Sequence, residues 1–165
     1  MIRAAMAAML ALALALAGCV APGAAASAPP EARAFSATAD AGADVDAALA
    51  RAAASGKRVL LVLGANWCHD SRALAGWLET PRLAALVAAH YELVFVDVGQ
   101  PQTGAGRNLD IAQRFGLAEL AGTPALIVLT PDGAPVNRDT AASWRNAASR
   151  SEAAIHAALA ALARP

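Results

Sequence analysis

The chain is poor in the residues that usually announce a chemistry. Its 165 residues hold two cysteines and no Cys-x-x-Cys pair, so neither a dithiol centre nor a disulfide framework is written into it. Charge is scarce at 16% of residues and balanced, with 13 basic and 13 acidic side chains, a formal net charge of +0 and no basic run. A nucleic-acid partner is therefore not expected, because neutralising a phosphate backbone takes clustered Lys and Arg. No spaced histidine pair is available for a metal: Cys68 and His69 are neighbours, which rarely chelate one ion, and His90 and His156 fall on other elements. Neither a metal nor another cofactor is expected. Gly104-Ala105-Gly106 lacks the third glycine and the lysine of a phosphate-cradling loop and reads as a plain loop. No apolar run reaches the about 20 residues that span a bilayer, and no internal repeat is visible.

What the chain does have is apolar residues, 58% of the total, many of them alanine. Residues 1–18 read as a targeting segment, with Arg3 as the positive start and Ala4 to Ala17 as an apolar run of signal-peptide length. The run ends in Leu16-Ala17-Gly18-Cys19, which resembles a bacterial lipobox. That resemblance implies that Cys19 is lipidated and becomes the new N-terminus, anchoring the protein in the cell envelope and facing the periplasm. Val20 supplies no acidic second residue, which by the same resemblance favours the outer membrane. The alternative is an ordinary secretory signal cut later, for instance after Ala24-Ala25-Ala26. If Cys19 carries lipid, Cys68 is the one thiol of the mature chain and no internal disulfide can form.

Residues 19–40, rich in Ala, Pro, Ser and Gly without apolar periodicity, read as a disordered tether, and residues 41–165 as one folded domain. Asp44 is expected to cap a first helix with Val45, Leu49 and Ala52 on its apolar face and Gly56 at its end. Val59–Leu63 and Ala125–Leu129 are continuous apolar runs, the pattern of strands buried on both faces, and Leu93–Val98 reads as a further central strand. Between them, a helix after Cys68 carries Ala73, Leu74, Trp77 and Leu78, and Thr80-Pro81 restarts it through Leu83, Leu86 and Val87. A loop over Gly99–Gly106 and a short helix over Leu109–Phe115 follow. Pro131-Asp132-Gly133 predicts a tight turn into a short antiparallel edge strand, Ala134-Pro135-Val136. Ser149-Arg150-Ser151-Glu152 reads as a capping box for a last helix with Ile155, Leu159 and Leu162 as its stripe. Trp77 and Trp144 read as packing aromatics.

The chemistry concentrates in Trp67-Cys68-His69-Asp70-Ser71, at the junction of a buried strand and the helix after it. Backbone N–H groups at a helix N-terminus favour an anion, so a cysteine there can be held partly as thiolate, the reactive form. For this the sulfur must sit uncovered beside Trp67. A protonated His69 would favour the thiolate and Asp70 would oppose it.

The element order, with Trp67-Cys68 at a strand-to-helix turn and Thr123-Pro124 before a later strand, resembles the thioredoxin superfamily over roughly Asp44 to Pro165. The resemblance implies an α/β thioredoxin-like fold, a central mixed β-sheet flanked by helices on both faces. It also implies that Cys68 is the nucleophile, that Pro124 is a cis-proline and that Thr123 pairs through its backbone with a bound substrate strand. Trp67 and His69 would line the same groove. Two departures stand out. Ser71 occupies the place of the resolving cysteine, giving the monothiol pattern, and Val62 stands where thioredoxins carry a buried acidic residue. Both point to an abandoned dithiol cycle. Cys68 would form mixed disulfides with protein or small-molecule thiols and disulfides, an external thiol would release them, and Ser71 could at most hydrogen-bond the thiolate. The competing reading is a non-catalytic module whose groove binds an extended peptide and for which Cys68 is dispensable.

Overall fold

The computed structural model describes residues 28–164. The targeting segment, Cys19 and the cleavage alternatives lie outside the described residues. The described chain runs α1 (Ala41–Ser55), β1 (Arg58–Gly64), α2 (His69–Glu79), α3 (Pro81–His90), β2 (Tyr91–Asp97), β3 (Gly99–Gln100), β4 (Ala105–Gly106), α4 (Leu109–Arg114), β5 (Ala125–Leu129) and α5 (Glu152–Leu162). A 3₁₀ segment, Ala141–Ser149, precedes α5.

The main sheet has the order β2-β1-β5. β1 pairs with β2 in parallel, Arg58 opposite Tyr91, and with β5 antiparallel, Val59 opposite Leu129. This is the mixed α/β architecture expected, and the period of two along β1 divides its core. Val59, Leu61 and Leu63 pack with Val45, Ala48 and Ala52 of α1 and with Ile111 and Phe115 around α4. Leu60 and Val62 point the other way, to Leu74 and Leu78 of α2, Leu83 of α3, Trp144, and Ile155 and Leu159 of α5. All five apolar side chains of β1 are fully buried, each contributing about 1.5–3 kcal/mol of transfer free energy. A one-residue slip would exchange the two sets, so the register is firmly specified.

Four local expectations need correction. The N-cap of α1 is Asp40, whose carboxylate accepts from the Ala43 N–H at 3.0 Å, not Asp44, which lies one turn inside; Gly56 closes the helix in the left-handed region at φ 74°. The cap of α5 is Ser151, which accepts from Ala154 N–H, so Ser149 opens no capping box and Glu152 instead accepts from the Thr80 hydroxyl at 2.6 Å. The Gly99–Gly106 loop folds into a small hairpin, β3 with β4, around a 3₁₀ turn. The strand expected over Ala134–Val136 shrinks to a single bridge, Leu129 to Pro135. Around that bridge Thr130 N–H donates to Ala134 O and Val136 N–H to Val128 O, and beyond it the Asn137 side chain takes over from backbone, accepting from Val128 N–H at 2.8 Å and donating to Leu126 O at 2.9 Å.

The largest difference is at the N-terminus. Residues 30–37, expected as tether, lie packed on the domain as a strap across the start of α2. Phe35 is 3% exposed and meets Phe95 edge to face at 5.3 Å. Its N–H and carbonyl are both held by the Asn66 side chain, at 3.2 and 2.6 Å, and Ala32 N–H donates to Arg72 O. A β-carbon on Gly76 would fall 2.4 Å from Pro30 O, so the strap crosses α2 at the one position without a side chain.

Candidate functional site

The antiparallel pairing of β1 with β5 sets Leu63 opposite Ala125. The residues that follow β1 and those that precede β5 therefore leave the sheet at the same end, which is how Cys68 and Thr123 meet across 55 positions of sequence. Cys68 takes the N-cap of α2 with extended backbone, φ −81° and ψ 122°, and its side chain makes no cap hydrogen bond. Its N–H donates to Ala65 O and its carbonyl accepts from Arg72 N–H, both at 3.1 Å. The thiol donates to the Thr123 carbonyl at 3.4 Å. The Thr123–Pro124 peptide is cis.

Cys68 is only 9% exposed. The expectation of an uncovered sulfur is corrected here: the loop of Thr123 closes over it, and Thr123 and Pro124 are themselves buried. The partner of the thiol is a backbone carbonyl of a connecting loop.

Trp67 is half exposed, at 50%, and its indole N–H donates to Gly99 O at 2.7 Å. Gly99 has φ 63°, and a β-carbon there would lie 2.5 Å from Ala105 O, so the hairpin requires glycine. Its N–H is held at 2.9 Å by the buried carboxylate of Asp97, which also faces Arg107 at 3.5 Å. The hairpin thus forms a fixed wall that carries Trp67 beside the thiol.

The three residues after Cys68 point three ways. His69 is exposed, with Nε2 at 3.1 Å from Glu31 Oε1, an ion pair when the imidazole is protonated. Asp70 accepts from Ala148 N–H at 2.9 Å, just past the kink at Asn146 in the 3₁₀ segment. Neither is hydrogen-bonded to Cys68. Ser71 is fully buried and its hydroxyl has no hydrogen-bond partner among the described residues, so the expected bond to the Cys68 sulfur is not made. Its oxygen lies close to Phe35 and Gly64: a β-carbon on Gly64 would be 2.7 Å from both Ser71 Oγ and Phe35 Cζ.

Arg72 ties these parts together. Its guanidinium donates to Asn66 O and Trp67 O at 3.0 and 3.1 Å, and to Glu31 at 2.7 Å. That hydrogen bond, with the neighbouring charges of Arg72, His69 and Arg33, holds the Glu31 carboxyl below the usual carboxylate range.

Residues 40–131 match the family model described as thioredoxin-like. The chain belongs to the thioredoxin-like family. The crystal structure of a disulphide isomerase from Xylella fastidiosa Temecula1 is 36% identical to this thioredoxin-like chain, covers 78% of it and 95% of its own length, and superposes with a TM-score of 0.71. No curated protein sequence matches the chain.

In this thioredoxin-like domain the residues named from sequence come together at one end of the sheet: Trp67, Cys68, Thr123 and Pro124 form one rim, and His69 sits beside it. Ser71 lies beneath, inside the protein. Sequence reasoning missed Glu31, Phe35, Asn66 and Arg72. The available signal was Phe35, a lone aromatic in a stretch otherwise made of small and polar residues.

Proposed function

We propose that the protein performs thiol–disulfide exchange by a monothiol route, as an envelope lipoprotein held by Cys19 and facing the periplasm, most simply at the outer membrane. Membership of the thioredoxin-like family and likeness to a disulphide isomerase support exchange in general. The observation that carries the finer reading is the pairing of Cys68 Sγ with Thr123 O beside a buried residue 71 that has no thiol.

In the proposed route the Cys68 thiolate attacks one sulfur of a protein or small-molecule disulfide. A new Cys68–S–S–R bond forms, the substrate's own S–S bond breaks and the second sulfur leaves as thiolate. The α2 N-terminus favours the anionic reactant, and a substrate strand whose N–H donates to Thr123 O replaces the bond that the Cys68 thiol now makes to that carbonyl. Ser71 cannot displace the adduct. An external thiolate attacks the mixed disulfide, leaves joined to R and restores Cys68.

A second reading is favoured by one observation. A cysteine 9% exposed and hydrogen-bonded to backbone suits a binding module in which the thiol only packs. One experiment separates the two and tests the anchor: intact mass of the mature, full-length protein before and after a small disulfide, then after excess thiol. Exchange predicts one reversible adduct at Cys68, none in Cys68→Ala, intramolecular release of the adduct in Ser71→Cys, and a lipid mass on Cys19. A folded wild-type protein that takes up no adduct leaves the binding module, and an unmodified Cys19 removes the anchor.

A further inference from the structure

The strap of residues 30–37 lies before residues 40–131, the span of the thioredoxin-like match, yet its contacts fall on both sides of the thiol. On the N-terminal side of Cys68, Asn66 exchanges two hydrogen bonds with the Phe35 backbone. On the C-terminal side, Glu31 reaches His69 at 3.1 Å and Arg72 at 2.7 Å, and Arg72 O accepts from Ala32 N–H. Arg72 then closes the ring, donating back to the carbonyls of Asn66 and Trp67. Asn66, Trp67, Cys68, His69 and Arg72 are thereby held, directly or through one neighbour, by the strap.

We propose that this strap is a positioning element of the Cys68 site, with Glu31 and Asn66 as its positioning residues. The proposal deepens the exchange reading and rests on it. Neither residue touches the reacting sulfur. They act through Arg72 and the Phe35 backbone, which fix the turn that sets the sulfur at the N-cap of α2 and against the Thr123 loop. Attack on a disulfide needs the three sulfurs in line, so loosening this turn slows exchange even where the fold survives. Phe35 makes the arrangement durable: its buried ring seats the strap in the core, while the exposed Glu31 and the half-buried Asn66 contacts set the turn.

The test uses the full-length protein and a nitrobenzoate disulfide, whose exchange releases one aromatic thiolate per Cys68 adduct and is followed by absorbance. Glu31→Ala and Asn66→Ala are compared with Asp46→Ala, which removes an ion pair of the same 2.7 Å length to Arg114 on the far face of the sheet. The rate constants are read well below each variant's unfolding midpoint. The positioning role predicts that Glu31→Ala and Asn66→Ala exchange about fivefold or more slowly, with Asp46→Ala unchanged, since small misplacements of a reacting atom are costly. Glu31→Asp, which keeps the charge and shortens the reach, recovers part of the rate. Three variants that exchange at the wild-type rate overturn the proposal and leave Cys68 chemistry standing, as does a faster rate in Glu31→Ala, which would make the strap a cover. If wild-type Cys68 itself fails to exchange, the exchange reading falls instead. Alkylation of Cys68 by iodoacetamide in the same variants then reads the turn without a disulfide, and equal alkylation rates overturn the strap as well.

Discussion

At the outer edge of β5, Asn137 is 2% exposed and both ends of its amide are bonded to the strand. In the first turn of α2, Ser71 is wholly buried and its hydroxyl has no partner among the described residues. Two buried polar side chains thus stand in opposite relations to their surroundings. Asn137 repairs a backbone that would otherwise lose its ladder, the ordinary logic of a structural site. Ser71 lies close to Phe35 and Gly64, where a thiol, which hydrogen-bonds weakly, or a methyl, which does not hydrogen-bond, would sit at less cost than an unpartnered hydroxyl. Trp77 Nε1, the other buried side-chain N or O atom without a partner among the described residues, is on the same helix. Among the described residues, buried side-chain polar atoms go unpartnered only on the helix that bears Cys68, which is where departures from local rules are expected when a site has a function.

The comparison is most sharply broken at Asn137. Asn137→Ala leaves Val128 N–H and Leu126 O without partners inside the protein and should cost about 2–3 kcal/mol. Urea denaturation measures it. A loss below about 0.5 kcal/mol would mean that the pairing of Ala134–Val136 with β5 extends past Val136 and supplies backbone partners to Val128 N–H and Leu126 O.

At Ser71 the sign should reverse. Ser71→Ala removes an oxygen that pays for desolvation with no bond in return, and should raise stability by about 1 kcal/mol. Ser71→Cys should do the same in the reduced protein. The same denaturation series reads both. A loss of similar size on Ser71→Ala would place a hydrogen-bond partner at the hydroxyl in solution, and the two sites would then follow one rule.

Much of the sheet was legible because Val59–Leu63 and Ala125–Leu129 are apolar at every position, a pattern that only strands covered on both faces maintain. Cys68, Thr123 and Pro124 were legible because short motifs fixed their places relative to those strands. Asn137 was not, since its role depends on a side chain reaching a neighbouring backbone, which no periodicity encodes. The partner of the Cys68 thiol was hidden for the same reason: it is a carbonyl brought in by β1–β5 pairing. The strap was hidden by composition. Its small residues contribute backbone hydrogen bonds and one crossing at Gly76, and its single anchoring ring, Phe35, has only alanines as apolar neighbours in sequence, too few to make a pattern.

The exposed clip of the strap gives the smallest of these effects, and its pH dependence separates it from the buried Asn137 bonds. Glu31 has its carboxyl held below its ordinary value of 4.5, first by the hydrogen bond from Arg72 and then by the charges of Arg72, His69 and Arg33. A carboxylate lowered on folding stabilises the folded state fully above its unfolded value and loses that contribution as pH falls through the folded one. Wild type should therefore melt slightly above Glu31→Gln at neutral pH, and the gap should close below about pH 4.5, whereas the Asn137→Ala deficit should persist through the same range because an amide does not titrate. Melting curves of the three proteins from neutral to acid pH decide it. A Glu31→Gln gap that holds steady into acid would mean that the carboxylate's charge contributes nothing to docking the strap, leaving Phe35 and the Asn66 bonds to hold it.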